Sequence, residues 1–352
     1  MPNDRPGDPP DMAHVADTAS TPRVATETAV TTVTPVTHLP SPLHLYQRAL
    51  LSSRKPARAQ AMPPLAFERR DLLLDAADIA RYARLCDFSD AQGVPPTWPH
   101  LLAFPLHMLL MTDRAFPFAM LGMVHLANRI RQQATLAAGD CLTIDVRCGP
   151  LYAHDKGQVF TVLTTARRDN VVVWMGESLY LRTGVRDPLG APYRAELRTE
   201  RRAESGANPS TDPALTRSAT WHVPGDLGRQ YARVSGDYNP IHLWPLTAKL
   251  FGFARPIIHG MWSFARTLAA VLPAEVHAQA RDLDLLVEFK TPVLLPGDVT
   301  LWRTTGGDIF ELRDAAGTVP HLRGRWQANR HAPAAPHAPL AHPSSSSDTD
   351  LP

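Results

Sequence analysis

The sequence has few cysteines, no large excess of either charge and no long apolar run. Only three of its 352 residues are cysteines, too few and odd in number for a disulfide framework, which indicates a reducing compartment and predicts a cytoplasmic location. The formal net charge of +2 is scattered along the chain, which argues against a nucleic-acid partner. The longest apolar run, residues 101–111, contains a proline and a histidine and is too short to span a bilayer, so no membrane partner is expected.

The two ends have compositions that do not favour a packed core. Residues 1–42 are rich in Pro, Thr, Asp and Val, and no basic start leads into an apolar run, so we predict a disordered tail rather than a signal peptide. Residues 329–352 carry repeated His-Ala-Pro and a serine run, which predict a second disordered tail. The tail histidines lack the ordered spacing of a metal site.

Between the tails, an order of helices followed by strands occurs twice. Apolar periodicity, Gly/Pro punctuation and a plausible N-cap at Asp75 define the elements. The first half, residues 43–185, is predicted to hold helices at 71–88 and 101–111 and strands at 141–148, 158–166 and 171–181. A polar linker is expected at 186–216. The second half, residues 217–328, is predicted to hold helices at 226–236 and 258–272 and strands at 285–291, 298–304, 309–313 and 318–328.

The repeat is visible in letters as well as in element order. Y-A-R-L-C-D-F at Tyr82 lies 149 residues before Y-A-R-V-S-G-D at Tyr231. Q-A-T-L-A-A-G-D-C-L-T at Gln133 lies 158 residues before T-P-V-L-L-P-G-D-V-T-L at Thr291. Two matches in the same order indicate a duplicated fold with a small insertion in the second half.

One short stretch of the second half concentrates the chemistry. Asp237, Asn239 and His242 follow a Ser-Gly pair that ends a predicted helix. Pro240 lacks an N–H and biases the residue before it toward extended geometry, so the segment forms a compact turn. An acid and an imidazole aimed at one point are able to hold a water and exchange protons with it near neutral pH.

The same stretch resembles a known family. S-G-D-Y-N-P-I-H and the following P-I-I-H-G-M are similar to the MaoC-type, or hydratase-2, signature of (R)-specific enoyl-CoA hydratases and 3-hydroxyacyl-thioester dehydratases. E-F-K-T-P-V-L-L-P-G-D-V-T-L from Glu288 extends the match, so the close resemblance covers residues 229–302. The resemblance implies an α+β fold of the double-hotdog type, in which two antiparallel sheets each wrap around a long central helix.

For such an enzyme we expect reversible hydration of a trans-2-enoyl thioester of coenzyme A or acyl carrier protein. The reaction needs a proton acceptor at the water, a proton donor at C2 and stabilisation of charge on the thioester oxygen. Asp237 and His242 are predicted to act as proton acceptor and proton donor through one bridging water. The N–H of Gly260, at a helix start, is predicted to stabilise the charge on the thioester oxygen. No metal or organic cofactor is expected.

The neighbouring residues are assigned supporting roles. We expect Asn239 to fix the turn and orient His242, with Ser235, Gly236 and Pro240 supporting the helix end and the turn. His259 and Met261 flank Gly260 and are predicted to contribute to substrate binding, although His259 also fits a purely structural neighbour. A cation at D-x-N-x-x-H is the alternative, but no further ligand stands at suitable spacing.

The first half does not carry the same residues. In register with Tyr231, the position of Asp237 is occupied by Phe88 and that of His242 by Gly93, and Gly260 has no evident counterpart. By the resemblance, this half lines the tunnel for the acyl chain, and the apolar helix predicted at 101–111 suits such a wall.

Two other functions remain open at this level. One is a hotdog acyl-CoA thioesterase, which needs an acid on or near the central helix, whereas residues 258–272 contain none. The other is a non-catalytic acyl-thioester-binding protein, which has no need of both Asp237 and His242. A homodimer is a further possibility.

Overall fold

Two helices, one in each half of the chain, are buried on almost every side and form the centres of the fold. In the computed structural model, which describes residues 32–52, 55, 58–197, 214–278 and 282–328, these helices are Trp98–Thr112 and Gly260–Val271. Most of their side chains are buried, because a helix that is apolar all round is stable only inside a core.

The remaining elements surround these two helices. The helices in chain order are α1 (Pro42–Ser52), α2 (Ala76–Cys86), α3 (Trp98–Thr112), α4 (Leu227–Ser235), α5 (Pro245–Leu250), α6 (Gly260–Val271) and α7 (Ala274–Ala278). The strands are β1 (Val33–Pro35), β2 (Ala66–Leu73), β3 (Met123–Gln132), β4 (Cys141–His154), β5 (Gly157–Arg168), β6 (Val171–Thr183), β7 (Ala191–Pro192), β8 (Thr216–Val223), β9 (Leu283–Phe289), β10 (Gly297–Arg303), β11 (Ile309–Asp314) and β12 (Pro320–Ala328).

The sheet shows the duplication directly. Its strand order is β1-β2-β4-β5-β6-β3-β9-β12-β11-β10-β8, so the order in the second half mirrors the order in the first. The pairing is antiparallel except for β1 with β2 and β4 with β7. Each half wraps its strands around one buried helix, which confirms the predicted α+β double hotdog. The two sheets are not separate, however, because β3 pairs with β9 and joins them into one.

Most of the predicted elements are present with modest changes in length. Asp75 caps α2 as predicted, since its side chain accepts the N–H of Asp78 at 2.9 Å. The turn between β5 and β6 has Asp169 and Asn170 with φ of 51° and 62°, the left-handed geometry of a two-residue hairpin loop. Strands β1, β2, β3, β7 and β8 were not predicted from the sequence, and the helix predicted to begin at residue 71 begins at Ala76, because residues 71–73 belong to β2.

Two predicted boundaries were wrong in part. The disordered tail predicted at 1–42 includes β1, which pairs with β2, and the start of α1; residues 1–31 lie outside the described residues. The linker predicted at 186–216 includes β7, the first residue of β8 and a buried Leu197, whose N–H donates to Glu288 Oε1 at 3.0 Å. Residues 198–213 and the predicted tail at 329–352 also lie outside the described residues.

Among the described residues, no helix combines the length and the apolar character needed to cross a membrane.

Candidate active site

The turn after α4 is built by side chains that bond to the backbone. Gly236 ends the helix with φ of 74°, and its N–H donates to the carbonyl of Ala232 at 2.9 Å. A residue with a side chain is strained at this φ, which explains the glycine. Ser235 Oγ then accepts the N–H of Asp237 at 3.2 Å. The helix end therefore fixes the backbone from which the Asp237 side chain leaves.

Asn239 and Pro240 complete the turn. The N–H of Asn239 donates to Asp237 Oδ1 at 3.1 Å, and Asn239 Oδ1 accepts the N–H of Ile241 at 3.5 Å. Pro240 opens a short 3₁₀ helix, Pro240–His242, at a position where the missing N–H has no cost. The local sequence thus brings Asp237 and His242 to the same side of the turn.

The Asp237 carboxylate has three polar neighbours. Tyr46 Oη donates to Oδ1 at 2.6 Å, beside the bond from Asn239, and Nε2 of His259 lies 3.8 Å from Oδ2. The side chain keeps 24% of its accessible surface. Burial acts to raise the pKa of this carboxyl, but the two histidines and the hydrogen bonds outweigh burial, and the pKa falls below its usual value. Asp237 is therefore ionised at neutral pH.

The His242 imidazole is buried and has a defined tautomer. Its Nδ1 lies 2.8 Å from the carbonyl oxygen of Ile257, which only accepts, so Nδ1 carries the proton and Nε2 has the free lone pair. The ring stacks on His259 with centroids 3.7 Å apart. Burial lowers the pKa of His242, against the opposing effects of Asp237 and the Ile257 bond. The ring is therefore a neutral proton acceptor.

His259 holds the turn from the other side. Its Nε2 lies 2.9 Å from the backbone carbonyl of Asp237 and donates to it. Its ring also packs against Tyr231, with centroids 4.8 Å apart. Burial lowers the pKa of His259 to about 3, with a further contribution from His242. His259 is thus a neutral residue that ties α6 to the turn.

Asp237, His242 and His259 form a compact polar cluster. One nitrogen or oxygen of each lies within 4.8 Å of the others. For a metal, however, the Nε2 of His259 is unsuitable, because its proton is donated to a carbonyl. The Asp237 carboxylate and His242 Nε2 both offer free lone pairs, and two acceptors suit the two protons of one water. Nδ1 of His259 likewise has no hydrogen-bond partner among the described residues. The predicted absence of a metal stays a prediction.

The N-terminus of α6 borders this cluster. Gly260 is the first residue of the helix, and its N–H has no hydrogen-bond partner within the described part of the chain. A Cβ at this position would lie 3.0 Å from Cε1 of Phe289, so the glycine also admits this ring. The next residue, Met261, is buried in the core. The helix therefore offers a free N–H to an anion or a carbonyl oxygen.

The corresponding turn of the first half holds other residues. Helix α2 ends at Asp87, with φ of 62°, and Phe88 follows it as Asp237 follows Gly236. The short 3₁₀ helix Asp90–Gln92 then places Gln92, rather than the predicted Gly93, at the position of His242. Trp98, the first residue of α3, stands where Gly260 stands in α6. The first half therefore has no acid, no base and no glycine at these positions.

Sequence reasoning did not find Tyr46 or a histidine cluster. Tyr46 lies 191 residues from Asp237 and precedes β2, the first strand with a counterpart in the second half, so no local pattern indicates the contact. His100 and His107 on α3 and His125 on β3 form this cluster, with the ring centroids of His107 and His125 at 5.3 and 6.3 Å from that of His100. Burial lowers the pKa of His100 to about 4 and that of His125 to about 3, so both are neutral.

Comparison with known proteins finds relatives over most of the chain. The family described as MaoC like domain matches residues 203–323. The 3-hydroxyacyl-thioester dehydratase X of Mycobacterium tuberculosis is 34% identical over 269 residues, which are 75% of this chain and 90% of that protein. The peroxisomal enoyl-CoA hydratase 2 of Arabidopsis thaliana is 50% identical over 40 residues, 11% of this chain and 13% of that protein. The crystal structure of HtdX of Mycobacterium tuberculosis has a TM-score of 0.59 at 30% identity, covering 75% of this chain and 100% of that one.

Proposed function

Because the chain belongs to the MaoC-like dehydratase family, we propose that it catalyses reversible hydration of trans-2-enoyl thioesters to (R)-3-hydroxyacyl thioesters. The relatives named above include a 3-hydroxyacyl-thioester dehydratase and an enoyl-CoA hydratase, so the chain is a hydro-lyase. The observation that carries the assignment of residues is the meeting of the Asp237 carboxylate and the His242 imidazole beside the first turn of α6.

The proposed mechanism uses one water between two acceptors. Ionised Asp237 and neutral His242 each accept one proton of the water, which turns an oxygen lone pair toward C3 of the substrate. As the oxygen bonds to C3, the Asp237–His242 pair takes one proton from the water. The pair then delivers that same proton to C2, which returns both side chains to their starting states and completes the addition of water across the double bond. Dehydration follows the same path in reverse.

The charge that develops on the thioester oxygen needs a donor. The unpartnered N–H of Gly260 is positioned for this role, and the helix dipole adds to it. His259 is a positioning residue in this scheme, because its Nε2 is engaged by the backbone of the turn. Met261 is buried beside Gly260, and its contribution to substrate binding stays a prediction.

The carrier of the acyl group is proposed to be coenzyme A or acyl carrier protein. The cytoplasmic location and the homodimer stay predictions. Thioester hydrolysis is less well supported, since α6 carries no carboxylate along its length. Measuring free thiol as well as loss of the enoyl group distinguishes the two reactions, because only hydrolysis releases a thiol.

The test compares the Asp237–His242 pair with an exposed pair of the same half. Asp237→Asn and His242→Ala should each lower kcat for hydration of crotonyl-CoA by roughly 10²–10⁴, the range for loss of a positioned acid or base. His222 and Asp298, whose side chains bond at 2.8 Å on the surface, provide the controls His222→Ala and Asp298→Asn.

The control variants should keep the wild-type rate. Wild-type turnover in Asp237→Asn or His242→Ala would remove that residue from the mechanism. If the chain releases free thiol, and that release still depends on Asp237, the chain is a thioesterase.

A further inference from the structure

A tyrosine from the helix that precedes β2 reaches the proposed catalytic carboxylate. Tyr46 is on α1, and its Oη donates to Asp237 Oδ1 at 2.6 Å. A distance of 2.6 Å is that of a hydrogen bond between a hydroxyl and a charged oxygen, which is stronger than one between neutral groups.

Helix α1 is held so that Tyr46 has a fixed position. Leu45, Ala49 and Ser52 are buried along one side of the helix. Ser52 Oγ also accepts the N–H of Met120 at 3.1 Å, which fastens the end of α1 to the loop after α3. Upstream, β1 pairs with β2. The hydroxyl is therefore delivered by an anchored element.

The contact divides the two oxygens of Asp237 into different roles. Oδ1 accepts both Tyr46 Oη and the N–H of Asn239, so it is saturated in the plane of the carboxylate. Within the described part of the chain, Oδ2 has no donor this close, and its neighbour is His259 Nε2 at 3.8 Å. The carboxylate is thus prevented from rotating, and Oδ2 is the oxygen left for the water.

The hydroxyl cannot exchange roles with the carboxylate at ordinary pH. Burial and the negative charge of Asp237 raise the pKa of Tyr46 far above its usual value, so the phenol stays protonated and remains a donor.

We propose that Tyr46 is a positioning residue for Asp237, and that the N-terminal segment 33–52 therefore completes the active site of the second half. The inference rests on the proposed role of Asp237. Tyr46 does not touch the reacting atoms. By bonding to Oδ1 it orients the carboxylate so that Oδ2 contacts the water.

The experiment uses the full chain with Tyr46→Phe, Asp237→Asn and the double variant, assayed on crotonyl-CoA. Tyr46→Phe keeps the ring and removes only the hydroxyl, so α1 should stay in place. We expect kcat to fall roughly 10-fold, the effect of one hydrogen bond to a charged group, with KM changed less than 2-fold. The double variant should be no slower than Asp237→Asn, because the hydroxyl acts only through that carboxylate.

Tyr193→Phe serves as the matched control, since the Tyr193 ring packs against Tyr152 in the first half, with centroids 6.5 Å apart. It should keep the wild-type kcat. If Asp237→Asn is inactive but Tyr46→Phe has the wild-type kcat, the inference is wrong and the proposed function stands. If the double variant is a further 10-fold slower than Asp237→Asn, Tyr46 acts independently of Asp237 and the positioning role is also wrong. If Asp237→Asn itself keeps full activity, the proposed function fails first.

Discussion

At Gly260, the first residue of α6, the effect of losing the backbone N–H can be distinguished from the effect of adding a Cβ. Gly260→Pro removes the N–H that we assign to the thioester oxygen. The backbone accepts the change, because proline is favoured at the first helical position and His259, with φ of −61° and ψ of 135°, has the geometry preferred before proline. Gly260→Ala is the matched control, since it keeps the N–H and adds the same Cβ.

The structure gives the expected size of each effect. The added Cβ lies 3.0 Å from Cε1 of Phe289, so the ring must shift by a few tenths of an ångström in both variants. Overpacking of this kind costs about 1 kcal/mol or more in stability, and we expect both variants to melt a few degrees lower than the wild type. Only the proline variant loses the donor, which lowers kcat by roughly 10²–10³.

The assay measures kcat for hydration of crotonyl-CoA together with Tm for both variants. Gly260→Ala should keep kcat within about 10-fold of the wild type, and the difference between the two variants should be the larger effect. Equal losses of kcat in two folded variants would refute the oxyanion role and leave Gly260 as a site that only makes room for Phe289. A larger loss in His259→Gln than in Gly260→Pro would move the donor role to His259.

Three further predictions follow from the same contacts. Deleting residues 1–31 should leave kcat and Tm nearly unchanged. Deleting residues 1–54 removes α1 together with Tyr46, so kcat should fall at least as much as in Tyr46→Phe. Equal activity of the two truncations would contradict this. Titration of the whole chain with a non-hydrolysable enoyl-thioester analogue, followed by calorimetry, should give one equivalent per chain, since the first half has Phe88 and Gln92 where the second has Asp237 and His242; two equivalents would disprove it. The urea concentration at the unfolding midpoint should be constant above about pH 7 and should fall as the pH drops below about 6.5. Burial lowers the pKa of His100, His242 and His259 in the folded chain, so the unfolded chain binds more protons at acid pH. A midpoint independent of pH from 7 to 4.5 would show that these imidazoles are not buried as neutral groups.

The turn at Asp237 was predictable because its signals are local. A glycine with left-handed φ, a serine two residues before the acid and a proline that opens the next helix all act within a few positions. The same holds for the cap at Asp75 and for the hairpin between β5 and β6. Such features need no knowledge of the tertiary structure.

Strand β3 was missed because its buried side is partly polar. Asn128 and Gln132 are buried on the same face as Ile130, while Arg129 points to the other face and bonds to Asp284 on β9. Asn128 Nδ2 donates to Ser178 Oγ at 3.0 Å, so the partner of this buried amide nitrogen lies on a strand 50 residues away. Among the described residues, Asn128 Oδ1 has no hydrogen-bond partner. A sequence in which both faces carry polar residues shows no period of two in hydropathy. The contact of Tyr46 with Asp237 was missed because the two residues are far apart in sequence and only the folded chain brings them together.

Two residues of the first half contact the central helix of the second half. Gln92, at the position of His242, donates to the carbonyls of Ala269 and Leu272 at the end of α6, at 3.2 and 3.0 Å. Asp87, at the position of Gly236, pairs with Arg266 of α6 at 2.8 Å. Gln92 and Asp87 thus bond to polar groups near the end of α6. The first half therefore helps to fix the helix whose first residue, Gly260, carries the N–H that we assign to the thioester oxygen.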